Sequence, residues 1–248
     1  YSPSGILIGS NAVFDVGQLI LTTLEPNLQQ FAGFTTGNTL NLLAPSTSTA
    51  RIQIDPGAQI TGSPENSFLL AAAPQIIQGG TVDINGSTAY IAATEVNVSY
   101  AGGLFNIAIP VGTTVGTAID HFGTTTGPAS SGVSGDEHVI YGVGKAQADP
   151  IQMLFSGNLG FALAQQAGID NGDIILAANF DVSDKNVATG SVDDGNTQFF
   201  DPVDRTSETQ ANIFLSGIDV TSDLLAITPN TVRVDAFGEG TGDSNFAG

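Results

Sequence analysis

Short apolar or alternating segments, separated by turn residues, run through most of the chain. The clearest block is residues 67–111, SFLLAAAPQIIQGGTVDINGSTAYIAATEVNVSYAGGLFNIAIPV, in which Gly, Asn and Pro interrupt the segments. Segments this short predict β-strands, because a helix needs a longer run with apolar residues three or four apart. The predicted strands of this block are Phe68–Ala72, Thr81–Ile84, Ala89–Ala93, Val96–Ser99 and Leu104–Ile109.

The same pattern predicts strands before and after this block. Residues 5–24 contain two or three strands, broken at 9–11 and at Gly17. Each break holds the small or turn-forming residues that end a strand. Further strands are predicted at Leu40–Ala44, Arg51–Ile54, His138–Val143, Ile151–Phe155, Asp173–Ala178, Asn212–Leu215 and Thr231–Ala236.

A recurring cluster of small and branched apolar residues gives the pattern a loose period. The cluster reads LNLLAP at 40–45, FLLAAAP at 68–74, AYIAAT at 89–94 and DIILAAN at 173–179. Its first three copies follow one another at intervals of roughly 20 to 30 residues, which is the range of solenoid coils. The spacing therefore indicates an all-β solenoid. A β-sandwich also has short strands with frequent turns and stays as the alternative fold.

Charge and cysteine content narrow the classes of function. The chain has 5 Lys and Arg against 24 Asp and Glu, a net charge of −19, and it therefore repels phosphate backbones and anionic membrane surfaces. We expect no nucleic-acid partner. Without cysteine it forms no disulfide or thiolate metal site, which agrees with export through an oxidising compartment. No apolar run is long enough for a membrane-spanning helix.

Paired carboxylates, and carboxylates beside a histidine, are the candidates for acid–base cleavage of sugars. The candidate groups are Asp120 with His121, Asp136 and Glu137 with His138, Asp181 with Asp184, and Asp193 with Asp194. All of them fall in or near polar segments, where carboxylates are usually solvated. The 5 Lys and Arg residues are scattered, and none of the GxSxG, P-loop or HExxH motifs occurs. We therefore predict that the protein is not an enzyme, and a β-helical polysaccharide-active enzyme is the alternative.

Calcium is the candidate ion, because oxygen-bearing side chains cluster late in the chain. There is neither an EF-hand loop nor a calcium-binding nonapeptide array. Solvated acidic turns are the competing interpretation, and no other cofactor is expected. The candidate calcium ligands are Asp170, Asp173, Asp193, Asp194 and Asn196.

Two stretches resemble the haemagglutination-activity domain of filamentous-haemagglutinin-like exoproteins. In residues 2–24, SPSGI takes the place of the NPNGI that is typical of the family, and Gly9 and Val16-Gly17 match the residues that follow it. Residues 69–100 resemble a second family run of the form LLAPxVxNxGxIxAxGGxVxLAAGxxVxL. The residues that correspond to the secretion motif are Ser2, Pro3, Ser4, Gly5 and Ile6.

The resemblance implies a right-handed parallel β-helix with loop or hairpin excursions. It further implies that residues 1–111 are the C-terminal part of a two-partner-secretion domain, from which the start of the domain is missing. Residues 112–137, rich in Gly, Ser and Thr, are expected to form a polar excursion. Residues 138–248 are expected to continue the β-helix, with an acidic excursion at about 182–209. The chain is then a piece of a longer protein.

The function implied by the resemblance is that of an adhesin or surface-contact protein. Such a protein leaves a Gram-negative cell through an outer-membrane two-partner-secretion pore and stays outside it or on its surface. Its expected partners are that pore and the glycans or proteins of host or neighbouring cells. The alternative is a structural subunit of an extracellular filament or matrix fibre that associates end to end.

Overall fold

A computed structural model describes residues 1–130, 137–162, 172–184, 186–187, 211–221 and 232–236. These residues form an all-β structure with two short 3₁₀ turns, Leu28–Gln30 and Phe34–Thr36. None of the described residues belongs to a helix that is long and apolar enough to cross a membrane. The strands are β1 (Ile6–Ile8), β2 (Val13–Asp15), β3 (Gln18–Thr22), β4 (Glu25–Pro26), β5 (Leu40–Leu43), β6 (Arg51–Ile54), β7 (Gln59–Ala73), β8 (Gln75–Gln78), β9 (Thr81–Ala92), β10 (Glu95–Ala101), β11 (Leu104–Val111), β12 (Thr117–His121), β13 (Thr124–Thr126), β14 (Val139–Gly144), β15 (Ile151–Gly160), β16 (Asp173–Ala178), β17 (Val182–Ser183), β18 (Asn186–Val187), β19 (Ala211–Thr221) and β20 (Val232–Ala236).

Fourteen of these strands form one large parallel sheet, curled into a half-barrel. Its strands stack in three ladders. The first ladder contains β1, β6, β8, β12 and the first halves of β15 and β19. The second contains β2, the first halves of β7 and β9, then β13 and the second halves of β15 and β19. The third contains β3, the second halves of β7 and β9, then β14, β16 and β20.

The chain passes through the three ladders in the same order each time it crosses the sheet. The turn β1, β2, β3 is followed by β6 and β7, then by β8 and β9, and later by β12, β13 and β14. The predictions of an all-β chain and of a large parallel sheet are therefore confirmed. This topology does not by itself establish a right-handed β-helix, which stays a prediction.

The other six strands form a smaller sheet in the order β18-β17-β11-β10-β5-β4, in which every pairing is antiparallel. Its centre is the hairpin β10–β11, which turns at Gly102 and Gly103 with φ angles of 60° and 85°. Two consecutive left-handed residues are the requirement of a type I′ hairpin turn, and glycine meets it without steric cost. This hairpin leaves the path of the parallel strands between β9 and β12.

Two cores lie on opposite faces of the third ladder. Along β7, Leu69 and Ala71 belong to the first core, whereas Phe68 and Leu70 belong to the second core, between this ladder and the antiparallel sheet. Because both faces are buried, β14 and β16 are buried at every position. This explains the unbroken apolar runs of the sequence, which replace the alternation of a half-exposed strand. A fully buried Leu or Phe contributes about 1.5–3 kcal/mol through removal from water.

The expected excursion at 112–137 is wrong for residues 117–121 and 124–126. These residues form β12 and β13 and pair with strands of the parallel sheet on both sides. They are poor in apolar residues because two of their inward positions carry His121 and Thr125, both fully buried. Of the acidic segment at 182–209, the described part extends the antiparallel sheet as β17 and β18, and the remainder lies outside the described residues. The division of the chain into units stays a prediction.

Candidate functional site

A groove of about 250 Å³, lined by both polar and apolar residues, lies on the outer face of the antiparallel sheet. Strict alternation along β10 and β11 builds it, because side chains of neighbouring residues point to opposite faces of a strand. Val96, Val98, Phe105 and Ile107 point into the second core. The intervening residues therefore point away from that core and line the groove. They are Asn97, Ser99, Asn106 and Ala108.

The groove is completed by β17, which comes from a distant part of the chain. Asn106 pairs with Ser183, and Ile107 pairs with Val182. The Oγ atom of Ser183 donates a hydrogen bond to Oδ1 of Asn106 at 2.9 Å. Asp181 also lines the groove, and its Oδ1 accepts a hydrogen bond from the backbone N–H of Ile109 at 2.8 Å. One carboxylate therefore ties the loop before β17 to β11.

Polar atoms of the groove keep unused hydrogen-bonding capacity. The Nδ2 atom of Asn41 donates to Oδ1 of Asn97, which leaves the Nδ2 group of Asn97 as a donor. Within the described part of the chain, Nδ2 of Asn106 and Oδ2 of Asp181 also have no hydrogen-bond partner. The groove thus presents amide donors and a carboxylate acceptor to a ligand, and no Lys or Arg of the described residues lines it.

A row of aromatic rings holds the hairpin on the third ladder. The ring of Tyr100 packs 4.6 Å from that of Phe68 and 4.7 Å from that of Phe105, and Phe105 makes an edge contact with Tyr141 at 5.8 Å. Aromatic pairs at such separations are worth about 0.5–1.5 kcal/mol beyond the area that they bury. Tyr141 also reaches β17, because its hydroxyl donates to the backbone oxygen of Asp184 at 2.7 Å. The groove therefore rests on a rigid base.

A second polar cluster is buried inside the parallel sheet. The hydroxyl of Thr125 lies 2.9 Å from Nε2 of His121, 2.8 Å from the hydroxyl of Tyr90 and 3.2 Å from Nε2 of Gln78. Nδ1 of His121 lies 3.1 Å from the backbone oxygen of Ser156. A carbonyl oxygen only accepts, so Nδ1 carries the proton and donates it to that oxygen. Nε2 then accepts from Thr125, and Thr125 accepts from Tyr90.

This cluster is uncharged at neutral pH, because burial disfavours ionisation. Burial lowers the pKa of His121 below its ordinary value of 6.5, although the hydrogen bond to Ser156 acts in the opposite direction. Burial also raises the pKa of Tyr90 to about 12, against the smaller effect of its hydrogen bond to Thr125. Among the described residues, Oε1 of Gln78 is a buried acceptor without a partner. Its members are buried, since Tyr90, His121 and Thr125 are all at most 1% exposed.

In the first predicted acid–base group, the structure directs the two side chains to different environments. His121 points into the core, whereas Asp120 is partly exposed. His138 is buried too, donates from Nδ1 to the backbone oxygen of Pro128 at 2.9 Å, and has its Nε2 3.5 Å from a carboxylate oxygen of Glu65. Its predicted partner Asp136 lies outside the described residues. Both histidines are therefore buried, although the sequence places them in or near polar segments.

The remaining acidic candidates have structural contacts or lie outside the described residues. Asp181 binds the β11 backbone, and Asp184 occupies a left-handed turn with φ 55°. Asp173 opens β16 and is only 5% exposed. No group of three or more His, Asp or Glu side chains within the described ranges is arranged to hold a metal ion. The candidates outside the described residues are Asp170, Asp193, Asp194 and Asn196.

The secretion-motif-like residues form the turn that leads into β1. The backbone N–H of Gly5 donates to the oxygen of Ser2 at 3.2 Å, and the N–H of Ser2 donates to the oxygen of Thr22 at 3.0 Å. Gly5 has a φ angle of 120°, which side chains of other residues resist. Ser4, Gly5 and Ile6 also line a depression of about 360 Å³ beside Arg51. Pro3 lies within the turn, and the structure gives the motif a conformational role.

Apart from Asp181, which is an acid–base candidate, the groove residues were not singled out from the sequence, although a signal for them exists. In the run EVNVSYAGGLFNIAI, Asn and Ser alternate with apolar residues on both sides of a Gly-Gly turn. That pattern identifies Asn97, Ser99 and Asn106 as the outer face of a hairpin. The contribution of Asp181 and Ser183 could not be found in this way, because they are more than 70 residues away along the chain.

The chain matches no protein-family model and no curated protein sequence. Its likeness to filamentous-haemagglutinin-like exoproteins therefore depends on the motif residues themselves.

Proposed function

We propose that this chain is a segment of a secreted, non-catalytic exoprotein that makes contact with other surfaces, in the manner of an adhesin. The observation that carries the proposal is the repeated passage of the chain through three parallel ladders, with a separate antiparallel sheet attached to one of them. This arrangement suits a rod that displays a groove on its side. It supports the resemblance to filamentous-haemagglutinin-like exoproteins.

The ladders, on this proposal, are the faces of a right-handed parallel β-helix with the β10–β11 hairpin as its excursion. Parallel strands joined by a crossover within one sheet are right-handed in about 98% of cases. Each turn pairs with the turn before it, at a spacing of about 4.8 Å, so a new turn finds its template as soon as it emerges. This order of folding suits export through an outer-membrane pore, as in two-partner secretion from a Gram-negative cell.

The non-catalytic assignment is supported by the positions of the candidate acids and bases. The described histidines are buried, and Asp181 is engaged with the backbone of β11. An acid–base pair for sugar cleavage needs two carboxyl groups about 5 to 10 Å apart across a substrate cleft. The groove is lined by a single carboxylate, that of Asp181, among the described residues. Calcium binding stays a prediction, with Asp170, Asp173, Asp193, Asp194 and Asn196 as its candidate ligands.

Cell binding and export test the proposal together. The fluorescently labelled protein is incubated with epithelial cells and with bacterial cells, with an unrelated acidic β-protein as the control. Saturable binding to one cell type supports the surface-contact function, and absence of binding to all of them overturns it. Export is tested by expression with and without an outer-membrane two-partner-secretion pore. Secretion that is independent of that pore contradicts the assigned route.

A structural subunit of an extracellular filament is the second candidate function. Within the described residues, β1, β2 and β3 are each paired on one side only. Unpaired strand edges accept a further strand, whether from the same chain or from another copy. Negative-stain microscopy separates the two candidates. Isolated rods favour the surface-contact protein, and long filaments of uniform width favour the fibre.

A further inference from the structure

We propose that the groove on the antiparallel sheet binds a short, neutral, hydroxyl-rich glycan, an inference that rests on the proposed surface-contact function. The groove combines three features: unpaired amide donors, one carboxylate acceptor, and an apolar lining to which Ala108 contributes. Small-ligand sites commonly combine an apolar lining with a few polar groups that fix orientation.

The hydrogen-bonding groups match sugar hydroxyls, which donate and accept at once. Within the described part of the chain, the Nδ2 groups of Asn97 and Asn106 are available donors, and Oδ2 of Asp181 is an available acceptor. An Asn side chain and a neighbouring carboxylate can engage two adjacent hydroxyls of one ring. The apolar side chain of Ala108 offers a surface to the C–H face of the same ring.

The charge of the groove excludes anionic ligands. Asp181 is the charged side chain among the described residues that line it, and the whole chain carries a net charge of −19. A sialylated or sulfated glycan would be repelled by both, because no lysine or arginine of the described lining neutralises it. A neutral glycan is not subject to this electrostatic repulsion.

The position of the groove disfavours an extended peptide. A peptide commonly binds a sheet by adding a strand at an exposed edge, where main-chain groups are unpaired. β10 is paired with β5 and β11, and β11 is paired with β10 and β17. The ligand must therefore bind through side chains on the face of the sheet. Donors and acceptors of this kind suit hydroxyls.

The size and stiffness of the groove set the length of the ligand. Its volume of about 250 Å³ falls just below the roughly 300–1,000 Å³ of sites for drug-sized ligands. One or two sugar rings fit, and the rest of a longer glycan stays in solvent. The hairpin is fixed by the rings of Tyr100 and Phe105, so binding costs little ordering of the protein.

A glycan array tests the inference directly. The array carries neutral oligosaccharides of glucose, galactose and mannose, with sialylated and sulfated glycans beside them. Asn106→Ala removes a donor of the groove. Asn158→Ala is the matched control, because Asn158 is an exposed asparagine on a strand of the parallel sheet. We expect the unmodified protein and N158A to bind the same neutral glycan, and N106A to bind it about tenfold more weakly.

Two further measurements keep the test decisive. Ala108→Trp fills the groove from its exposed side, so binding should be lost even if N106A is poorly folded. Titration of the unmodified protein with the bound oligosaccharide should shift the NMR signals of the Asn97 and Asn106 side-chain amides. Absence of neutral-glycan binding, binding of charged glycans alone, or equal binding by A108W overturns the inference. Cell binding that survives in N106A and A108W overturns the glycan site and leaves the surface-contact function standing.

Discussion

The hydroxyl of Tyr141 donates a hydrogen bond to the backbone oxygen of Asp184 at 2.7 Å and lies 3.3 Å from the backbone N–H of Phe105, which donates to it. One side chain of the third ladder thus binds β11 and the turn that follows β17. The shape of the groove depends on how β11 and β17 lie relative to each other. The Tyr141 hydroxyl therefore helps to set that shape from the core side of the sheet.

Removal of this hydroxyl should loosen the groove without unfolding the chain. Tyr141→Phe keeps the ring that packs on Phe105 and leaves two backbone groups without a partner. We expect a loss of about 1–3 kcal/mol in the free energy of unfolding, measured by urea denaturation. Tyr1→Phe is the control, because Tyr1 is 57% exposed. Equal stability of Y141F and Y1F would contradict the assigned role.

Acid should destabilise the protein through His121. In the unfolded chain the imidazole protonates near its ordinary pKa of 6.5, whereas burial lowers the pKa of the folded group. Below pH 6.5 the unfolded chain therefore binds more protons than the folded chain does. The free energy of unfolding falls over the range from pH 6.5 down to the folded pKa and does not fall further below it. The His121 contribution is fully present above 6.5.

Thermal melts of the unmodified protein and of His121→Gln between about pH 7.5 and about pH 5 measure this contribution. Protonation of carboxylates affects both proteins alike, so the difference between their slopes belongs to His121. The unmodified protein should lose more stability over this range than H121Q. Parallel pH dependences of the two proteins would show that the buried imidazole does not titrate as described.

Alkali should destabilise the protein through two buried phenols. Burial raises the pKa of Tyr90 to about 12 and raises the pKa of Tyr141 well above 10.0. Their contribution to stability is complete below pH 10 and is lost as the pH rises through the folded values. The ultraviolet absorbance of tyrosinate should therefore appear late for these two residues. Tyr90→Phe should flatten the alkaline loss of stability, at a cost of about 1 kcal/mol near neutral pH for the lost hydrogen bond to Thr125.

A methyl group at the hairpin turn should disturb the sheet that carries the groove. Gly103 has a φ angle of 85°, and a Cβ atom there would lie 2.6 Å from the backbone oxygen of Glu137. The left-handed conformation alone costs other residues about 1–2 kcal/mol, and the close contact adds to it. Gly103→Ala should lower the urea midpoint accordingly. Gly9→Ala is the matched control, because a Cβ atom at Gly9 meets nothing within 4 Å.

The strands of the parallel sheet could be predicted from the sequence because every turn of the chain needs apolar residues at its inward positions. Arg51–Ile54 and Asp173–Ala178 form strands with those bounds. The recurring clusters at 68–74, 89–94 and 173–179 contribute to one ladder, the third. Their likeness therefore had a structural cause: each of them is buried on both faces.

The cluster at 40–45 shows where this reasoning fails. Leu40–Leu43 has the same composition as the other clusters but pairs antiparallel with β10 in the smaller sheet. A strand against the second core needs the same apolar residues whichever sheet it belongs to, so composition alone does not assign it. His121 and Thr125 cause the opposite error, because they are polar residues that nevertheless lie in a core. Each is a hydrogen-bond partner of the other there. Sequence reasoning assigned their segment to a loop for that reason.

Burial of the third ladder on both faces has a consequence for how the surface of this molecule changes over time. A substitution in that ladder changes the packing of two cores at once, so few replacements should be tolerated there. Outward positions of the other ladders, such as Gln53 and Asp120, contact solvent and are much freer to vary. We expect sequence variation to accumulate at such outward positions, while the side that bears the hairpin keeps its shape.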